Sequence, residues 1–204
     1  MLPLDNSPFD AFFGTQPGAP PARSRYVYYP GGAPVPETAA VNVRNRSHTI
    51  TAYVDVPPDG AEGVLLAMGS VFGGFVLMVR DRRLHYVHNF CGLEEHRVSS
   101  TREVPAGEHT LAFRFDKTGE HQGTGTLFID GEQAGQTEIG RFTPTRFTIT
   151  GDGLCCGYDI GSPVCSDYQP PFRFSGTLRK VVVDVDGRPY SDPAGEAEIA
   201  IKSQ

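Results

Sequence analysis

The chain has 204 residues, and the turn-forming residues glycine and proline are frequent, with 24 and 17 copies. This length allows one sizeable hydrophobic core, and the composition favours short strands joined by tight turns. The net charge of -6 would repel phosphate backbones, so we expect no nucleic-acid partner. The sequence has no run of about 20 apolar residues and no signal-peptide pattern, so we expect no membrane association and a cytoplasmic location.

Residues 1–36 are predicted to form an extended N-terminal arm. They contain eight prolines and an apolar group at residues 9–13. Proline at this density blocks both helices and central strands. Three tyrosines of the arm, Tyr26, Tyr28 and Tyr29, could lie against a sheet edge or against a neighbouring domain. We therefore divide the chain into this arm and a β-sandwich domain at residues 37–204.

After residue 41 the apolar residues follow the two-residue period of a strand. Ile50, Ala52, Val54 and Val56 point one way, and the polar residues between them point the other. Residues 63–68 and 75–79 are uninterrupted apolar runs, typical of strands covered on both faces. Similar patterns predict strands at 84–90, 111–115, 126–129, 146–150 and 172–185, with a hairpin turn at Asp130-Gly131.

These patterns predict an all-β protein. No segment keeps a 3.6-residue apolar period over a helical length, apart from a weak signal at 194–201. About a dozen short strands are too many for one open sheet. We predict a two-sheet antiparallel jelly-roll sandwich of the laminin-G/concanavalin type, and a closed barrel is the alternative.

Residues 151–168 are too rich in glycine and aspartate for a helix or a regular strand, and we predict a long structured loop. Three aspartates of this loop, Asp152, Asp159 and Asp167, are candidate calcium ligands, because calcium prefers carboxylate and loop carbonyl oxygens. The alternative is that they accept hydrogen bonds from turn amides. Calcium is the only cofactor that the sequence suggests.

Glycan binding is a natural task of a sandwich and would use tyrosine rings beside fixed polar groups. The candidate contacts for a glycan or for another partner are Asn89, Tyr158, Ser162 and Tyr168, together with the three tyrosines of the arm. The alternative is that these tyrosines only cover a sheet. An acidic glycan would also need cations, for which Arg97, Arg141, Arg173 and Arg179 are available.

The cysteines and histidines give little sign of a metal site or an active site. The four cysteines, Cys91, Cys155, Cys156 and Cys165, have no C-x-x-C spacing, so zinc is not expected. We predict free and mostly buried thiols, although a bridge from Cys155 or Cys156 to Cys165 is geometrically conceivable. His85 and His88 would face opposite sides of a sheet.

The order and spacing of several short motifs resemble one known family, the C-terminal domain that follows the catalytic domain in large bacterial arylsulfatases, including those of actinobacteria. The resemblance covers nearly the whole chain. Its motifs are Leu2-Pro-Leu-Asp5, Pro36-Glu37, residues 40–48, Gly60-Ala-Glu-Gly-Val64, Phe72-Gly-Gly74, Asn89-Phe90 with Gly92, Pro105-Ala-Gly107 with His109-Thr110, Gly125-Thr126, Ile129-Asp-Gly131, Gly151-Asp-Gly-Leu154, Gly157 with Asp159, and Gly161-Ser-Pro-Val164.

The resemblance implies an accessory domain that packs on a sulfatase catalytic domain and shapes its active-site mouth. The resemblance does not include the sulfatase catalytic domain. The sulfatase motif C-x-P-x-R is absent, since Cys165-Ser-Asp-Tyr-Gln169 lacks both the proline and the arginine. We therefore expect no catalysis by this chain alone. The alternative function is a free-standing module that binds sulfated or other acidic glycans.

Overall fold

The computed structural model describes residues 23–147, 152–190 and 192–195. These residues form eleven strands. The strands are β1 (Arg25–Tyr28), β2 (His48–Val56), β3 (Gly63–Ser70), β4 (Gly73–Arg80), β5 (Arg83–Phe90), β6 (Glu94–Glu103), β7 (Gly107–Gly119), β8 (Gln122–Ile129), β9 (Glu132–Ile139), β10 (Leu154–Cys156) and β11 (Thr177–Val185).

The strands form two sheets that pack face to face. The six-stranded sheet has the order β1-β11-β2-β7-β8-β9, and the five-stranded sheet has the order β10-β3-β4-β5-β6. All pairings between these strands are antiparallel. Strands β6 and β9 meet at one side of the sandwich, where the Thr101 hydroxyl donates to the Ala134 carbonyl at 3.1 Å. The predicted architecture of two antiparallel sheets is confirmed.

The inner faces of the two sheets share one apolar core. Strand β2 alternates between buried and half-buried residues along its whole length, as the sequence predicts. Tyr86 of β5 and Phe113 of β7 are both fully buried, and their ring centroids lie 3.4 Å apart at an interplanar angle of 6°. Burying a large apolar side chain contributes about 2–3 kcal/mol, so this ring pair is a strong link between the sheets.

The hairpin turn at Asp130-Gly131 also lies where the sequence places it, between β8 and β9. Asp130 has φ 54° and Gly131 has φ 79°. Positive φ at both central residues matches the twist of the flanking strands.

Two strand predictions are wrong in detail. Leu154–Cys156 forms β10, paired with β3, although the sequence predicts a loop there. The last strand begins at Thr177 and not at residue 172, because the preceding main chain bonds to other segments. The amide of Phe174 donates to Gly157 at 3.0 Å, and the amide of Ser175 donates to Glu62 at 2.7 Å.

The C-terminal part of the predicted arm contributes an edge strand. Strand β1 pairs with β11, and Tyr26 and Tyr28 pack against the core. Tyr29 is 65% exposed. The apolar group at residues 9–13, residues 148–150 of a predicted strand and residues 196–201 of the possible helix lie outside the described residues.

All four cysteines are free, with Cys91 exposed and the other three buried, so the predicted free and mostly buried thiols are confirmed. Over the part of the chain that the structure describes, no helix combines the length and the hydropathy that a bilayer-crossing segment needs.

Candidate functional site

The five-stranded sheet is covered on both faces. Every residue of β3 is buried, and in β4 only Arg80 is not fully buried. A second apolar cluster explains this burial, because residues 157–176, between β10 and β11, lie on the outer face of the sheet. We call residues 157–176 the covering segment. Its Val164, Cys165 and Tyr168 pack on sheet residues that point away from the sandwich core, namely Val64, Ala67, Val76, Met78 and Val87.

A buried carboxylate and a tyrosine hold the covering segment in shape. The Tyr168 hydroxyl donates to the Asp159 carboxylate and accepts from the Val164 amide at 3.0 Å. The Tyr168 ring stacks on Phe172 with centroids 5.3 Å apart. Asp159 is 3% exposed, and this burial raises its pKa to about 6, although the bond from Tyr168 acts in the opposite direction. Burial also raises the pKa of Tyr168.

The three aspartates that the sequence proposes as calcium ligands are not brought together. Asp152 and Asp159 line one cavity of about 330 Å³. Asp167 instead forms ion pairs with Arg97 of β6 and, at 4.0 Å, with Arg80 of β4. Within the described residues, no group of three histidine, cysteine, aspartate or glutamate side chains could hold a metal ion. Asp167 therefore serves to fasten the covering segment to the sheet.

An open cleft lies at one end of the five-stranded sheet. There the β3–β4 turn, Val71-Phe72, and the β5–β6 turn, residues 91–93, meet the covering segment. We call this cleft the end cleft, and its volume is about 360 Å³. This volume is within the usual range for small-ligand sites, roughly 300–1,000 Å³. It is lined by Val71, Asn89, Gly92, Leu93, Glu94, Glu95, Val164, Cys165 and Ser166.

The turn between β3 and β4 is held tightly by glycine. Gly69 and Gly74 pair across the hairpin and have φ of 104° and 141°. A Cβ on either residue would lie 2.1 Å from a carbonyl oxygen of the opposite strand. Glycine is therefore required here, and the close strands fix the position of Val71 and Phe72 in the turn.

Asn89, a predicted binding residue, forms the base of the end cleft and is 4% exposed. Its side-chain amide donates to the carbonyls of Val164 at 2.7 Å and Val71 at 3.2 Å. Its side-chain oxygen accepts from the amide of Gly92 at 2.7 Å. One side chain thus ties both turns to the covering segment, and its donors are already used. Asn89 shapes the cleft and has little capacity left to bind a ligand.

Replacing Asn89 by alanine should lower the free energy of unfolding by about 3 kcal/mol, because it leaves buried main-chain groups without partners. Urea denaturation of the two proteins measures this difference. Asn89→Asp is the matched variant: it keeps the acceptor for Gly92 but turns a buried carboxylate oxygen toward the carbonyls of Val71 and Val164, so we expect a loss at least as large. A loss below about 0.5 kcal/mol in Asn89→Ala, the usual range for surface changes, would show that this link is unimportant.

The rim of the end cleft is apolar and exposed. Val71 and Leu93 line the cleft and are 42% and 75% exposed, and Phe72, beside Val71 in the turn, is 53% exposed. The two turns touch each other, since a Cβ on Gly92 would lie 2.9 Å from the carbonyl oxygen of Val71. Exposed large apolar side chains that cluster, unlike scattered ones, indicate a binding surface.

The polar lining of the end cleft is acidic. Glu94 pairs with Arg141 at 2.8 Å, and the Arg141 guanidinium lies over the Phe90 ring at 4.2 Å. Glu95 pairs with Arg97 at 3.1 Å. The two carboxylates line the cleft but the two arginines do not. A ligand in the cleft would therefore meet acceptors before cations.

The other predicted contacts lie apart from the end cleft. Tyr158 is buried, donates to the Gly32 carbonyl at 2.6 Å and carries the Arg173 guanidinium over its ring at 5.1 Å. The Tyr28 hydroxyl accepts from the Val41 amide at 2.9 Å. Ser162 is half-buried in the covering segment. Arg179 pairs with Glu108. These side chains hold the fold together and do not form one site with Asn89.

Sequence reasoning therefore missed most of the lining of the end cleft. Asn89 was found, but Val71, Leu93, Glu94, Glu95 and Ser166 were not. The available signal was the placement of Val71-Phe72 and Leu93 next to glycines in turns, where large apolar side chains are unusual.

A scan against protein-family models and a search of curated proteins gave no match. A search of solved structures did give matches. The CBM40 module of the Ruminococcus gnavus IT-sialidase, bound to α2,3-sialyllactose, has a TM-score of 0.53 and 16% identity, with 88% of this chain and 96% of the module covered. A second structure of that CBM40 has a TM-score of 0.53 and 15% identity, with 89% and 98% covered.

A structure of botulinum neurotoxin type C, described as needing two ganglioside molecules for cell entry, has a TM-score of 0.50 and 8% identity. The matched region spans 88% of this chain and 42% of the neurotoxin chain. The chain has the jelly-roll fold. The prediction of an all-β, two-sheet antiparallel jelly-roll sandwich of the laminin-G/concanavalin type is therefore confirmed. At these identities the similarity shows the fold alone.

Proposed function

We propose that this chain is a non-catalytic glycan-binding β-sandwich module and that the end cleft is its binding site. The observation that carries the proposal is the similarity in fold, over almost the full length of both chains, to a module whose structure holds bound α2,3-sialyllactose. The alternative function predicted from the sequence, a carbohydrate-binding sandwich, thus has more support than an accessory role beside a sulfatase.

The lining of the end cleft supports its choice as the binding site. The covering segment occupies the outer face of the five-stranded sheet, so a sugar cannot lie on that face. The end cleft combines exposed apolar side chains at its rim with hydrogen-bonding groups inside it. A sugar ring offers the same combination, with apolar C–H groups and hydroxyls, so the cleft matches this ligand class.

A glycan array probed with the labelled protein tests the proposal, and we expect binding to at least one class of glycan. The variant Ser166→Trp fills the cleft with a large ring and should abolish that binding, because Ser166 is an exposed residue of the cleft lining. Thr118→Trp, at an exposed position near the end of β7, is the control and should bind as the unmodified protein does. Equal binding by the two variants would rule out the end cleft, and no binding by any of the three proteins would rule out the function.

The exposed rim favours a second proposal, the interaction module implied by the arylsulfatase resemblance. Val71, Phe72 and Leu93 are the kind of apolar surface that a partner domain would cover. The similar structures named above are not described as sulfatases, so the sulfatase partner stays a prediction. Co-purification with a sulfatase catalytic domain, lost in Phe72→Ser, would support this second function.

A further inference from the structure

The ionisable side chains that line the end cleft favour uncharged ligands over anionic ones. Its ionisable side chains, among the described residues, are Glu94, Glu95 and the raised-pKa thiol of Cys165. The arginines that pair with the two glutamates are not part of the lining. Each carboxylate is already paired with an arginine, at 2.8 and 3.1 Å, so the described lining offers an anionic ligand no unpaired cation.

The same carboxylates favour a ligand that donates hydrogen bonds. Hydroxyl and amide groups of an uncharged sugar can donate to a carboxylate, and such charge-assisted bonds are stronger than bonds between neutral groups. Ser166 adds a hydroxyl that can donate or accept. The polar part of the lining thus suits a neutral sugar with several donors.

The apolar side chains of the lining favour a sugar that carries an apolar substituent. Val71 and Leu93 supply two branched aliphatic side chains to the cleft, and they are 42% and 75% exposed. A methyl group placed against them would remove apolar surface from water on both molecules. An N-acetyl substituent carries such a methyl group together with an N–H donor for a carboxylate.

We infer that the end cleft selects an uncharged glycan unit that carries an N-acetyl group. This inference rests on the proposed glycan-binding function and specifies its ligand class. It differs from the sulfated or otherwise acidic glycan that the sequence suggests, since the arginines available for an acidic ligand are engaged with carboxylates or aromatic rings. Arg97 pairs with Asp167 and Glu95, and Arg141 pairs with Glu94.

Calorimetric titration of the whole chain with two matched pairs of sugars tests the inference. Chitotriose and cellotriose share one backbone, and only chitotriose carries N-acetyl groups. We expect chitotriose to bind about tenfold more tightly, as is typical of a small apolar group in a fitted pocket. Lactose and lactose 3′-sulfate differ only by an anionic group, and we expect the sulfate to bind no more tightly than lactose.

The outcomes separate this inference from the function on which it rests. Equal affinity for chitotriose and cellotriose, or tighter binding of lactose 3′-sulfate than of lactose, would overturn the selection of a neutral N-acetylated unit and leave glycan binding intact. If none of the four sugars binds, and the glycan array shows no binding either, both the inference and the proposed function fail.

Two variants assign the selection to particular side chains. Leu93→Ala should reduce the preference for chitotriose over cellotriose. The control is Val27→Ala in β1, where the aliphatic side chain is 43% exposed, and it should leave this preference unchanged. Glu95→Gln removes one carboxylate from the cleft while Arg97 keeps its pair with Asp167. This change should raise the affinity for lactose 3′-sulfate relative to lactose. An unchanged preference in Leu93→Ala would contradict the role of the apolar lining.

Discussion

Lowering the pH from 7 to 4 should reduce the free energy of unfolding by about 4 kcal/mol. The cause is two buried histidines of the sandwich core. His88 and His48 are 0% and 2% exposed, and burial lowers their pKa values to about 3 and about 4. His88 therefore stays neutral in the folded protein over this pH range and His48 stays mainly neutral down to about pH 5, whereas an unfolded histidine takes up a proton near pH 6.5.

The sign follows from which state binds more protons. Between pH 6.5 and 4 the unfolded chain binds more protons at the two histidines than the folded chain does, so acid favours unfolding. Each histidine accounts for roughly 3 kcal/mol at pH 4. Asp159 acts in the opposite direction, because its raised pKa of about 6 lets the folded state bind a proton first. It offsets about 2 kcal/mol of the loss at pH 4.

The geometry around His88 explains why it cannot take up a proton easily. The Thr143 amide donates to Nε2 at 3.1 Å, and this bond needs Nε2 without a hydrogen. The imidazole stacks on Phe142 at 4.2 Å and 7°, and His96 stacks on its other side at 6.4 Å. Protonation would break the bond to Thr143 and place a charge among aromatic rings.

Urea denaturation at pH 7, 5 and 4 measures the effect, and two variants should shift it in opposite directions. His88→Phe should reduce the loss of stability between pH 7 and 4 by about 3 kcal/mol, whatever its own stability at pH 7. Asp159→Asn should enlarge the loss by about 2 kcal/mol. A free energy of unfolding that stays constant between pH 7 and 4 would contradict the burial of these groups as neutral histidines.

Replacing Tyr168 by alanine should lower the free energy of unfolding by roughly 3–5 kcal/mol, the usual loss for a buried aromatic side chain. Tyr168 is 4% exposed and is the largest side chain that the covering segment inserts into the second apolar cluster. Without it, Val76, Met78 and Val87 lose part of their cover. We therefore also expect binding of a hydrophobic dye to the folded variant.

The control for this change is Tyr168→Phe, which keeps the ring against Phe172 but removes the hydroxyl. It leaves Asp159 without its donor and the Val164 amide without its acceptor, for a loss of about 1–3 kcal/mol. Dye binding should then stay low, since the apolar cover remains. If Tyr168→Ala unfolds at the same urea concentration as the unmodified protein, the covering segment does not contribute to the stability of the sheet.

The fold could be predicted from the sequence because its main strands carry local signals. The alternation in β2 follows from one face being buried in the core, and the positive φ of Asp130 and Gly131 is a local property of that turn. The three-residue strand β10 could not be predicted in this way. It exists because Leu154–Cys156 pairs with residues of β3 more than 80 positions earlier in the chain.

The end cleft could be predicted only in part, for a similar reason. The sequence predicts Asn89 as a polar binding residue near the loop. Asn89 does lie at the cleft, but its side chain links three segments and is not a free ligand group. Val71, Leu93 and Ser166 come from separate turns and from the covering segment. Their proximity depends on how these segments pack, which no local pattern in the sequence encodes.

The most direct test of glycan binding at the end cleft is an NMR titration of the labelled chain with chitotriose. We predict that the largest amide shifts fall on Leu93, Glu95 and Ser166 and that residues on the outer face of the six-stranded sheet, such as Tyr53, stay unchanged. Shifts centred on Tyr53, or no shifts at saturating sugar, would contradict the assignment of the end cleft as a glycan site.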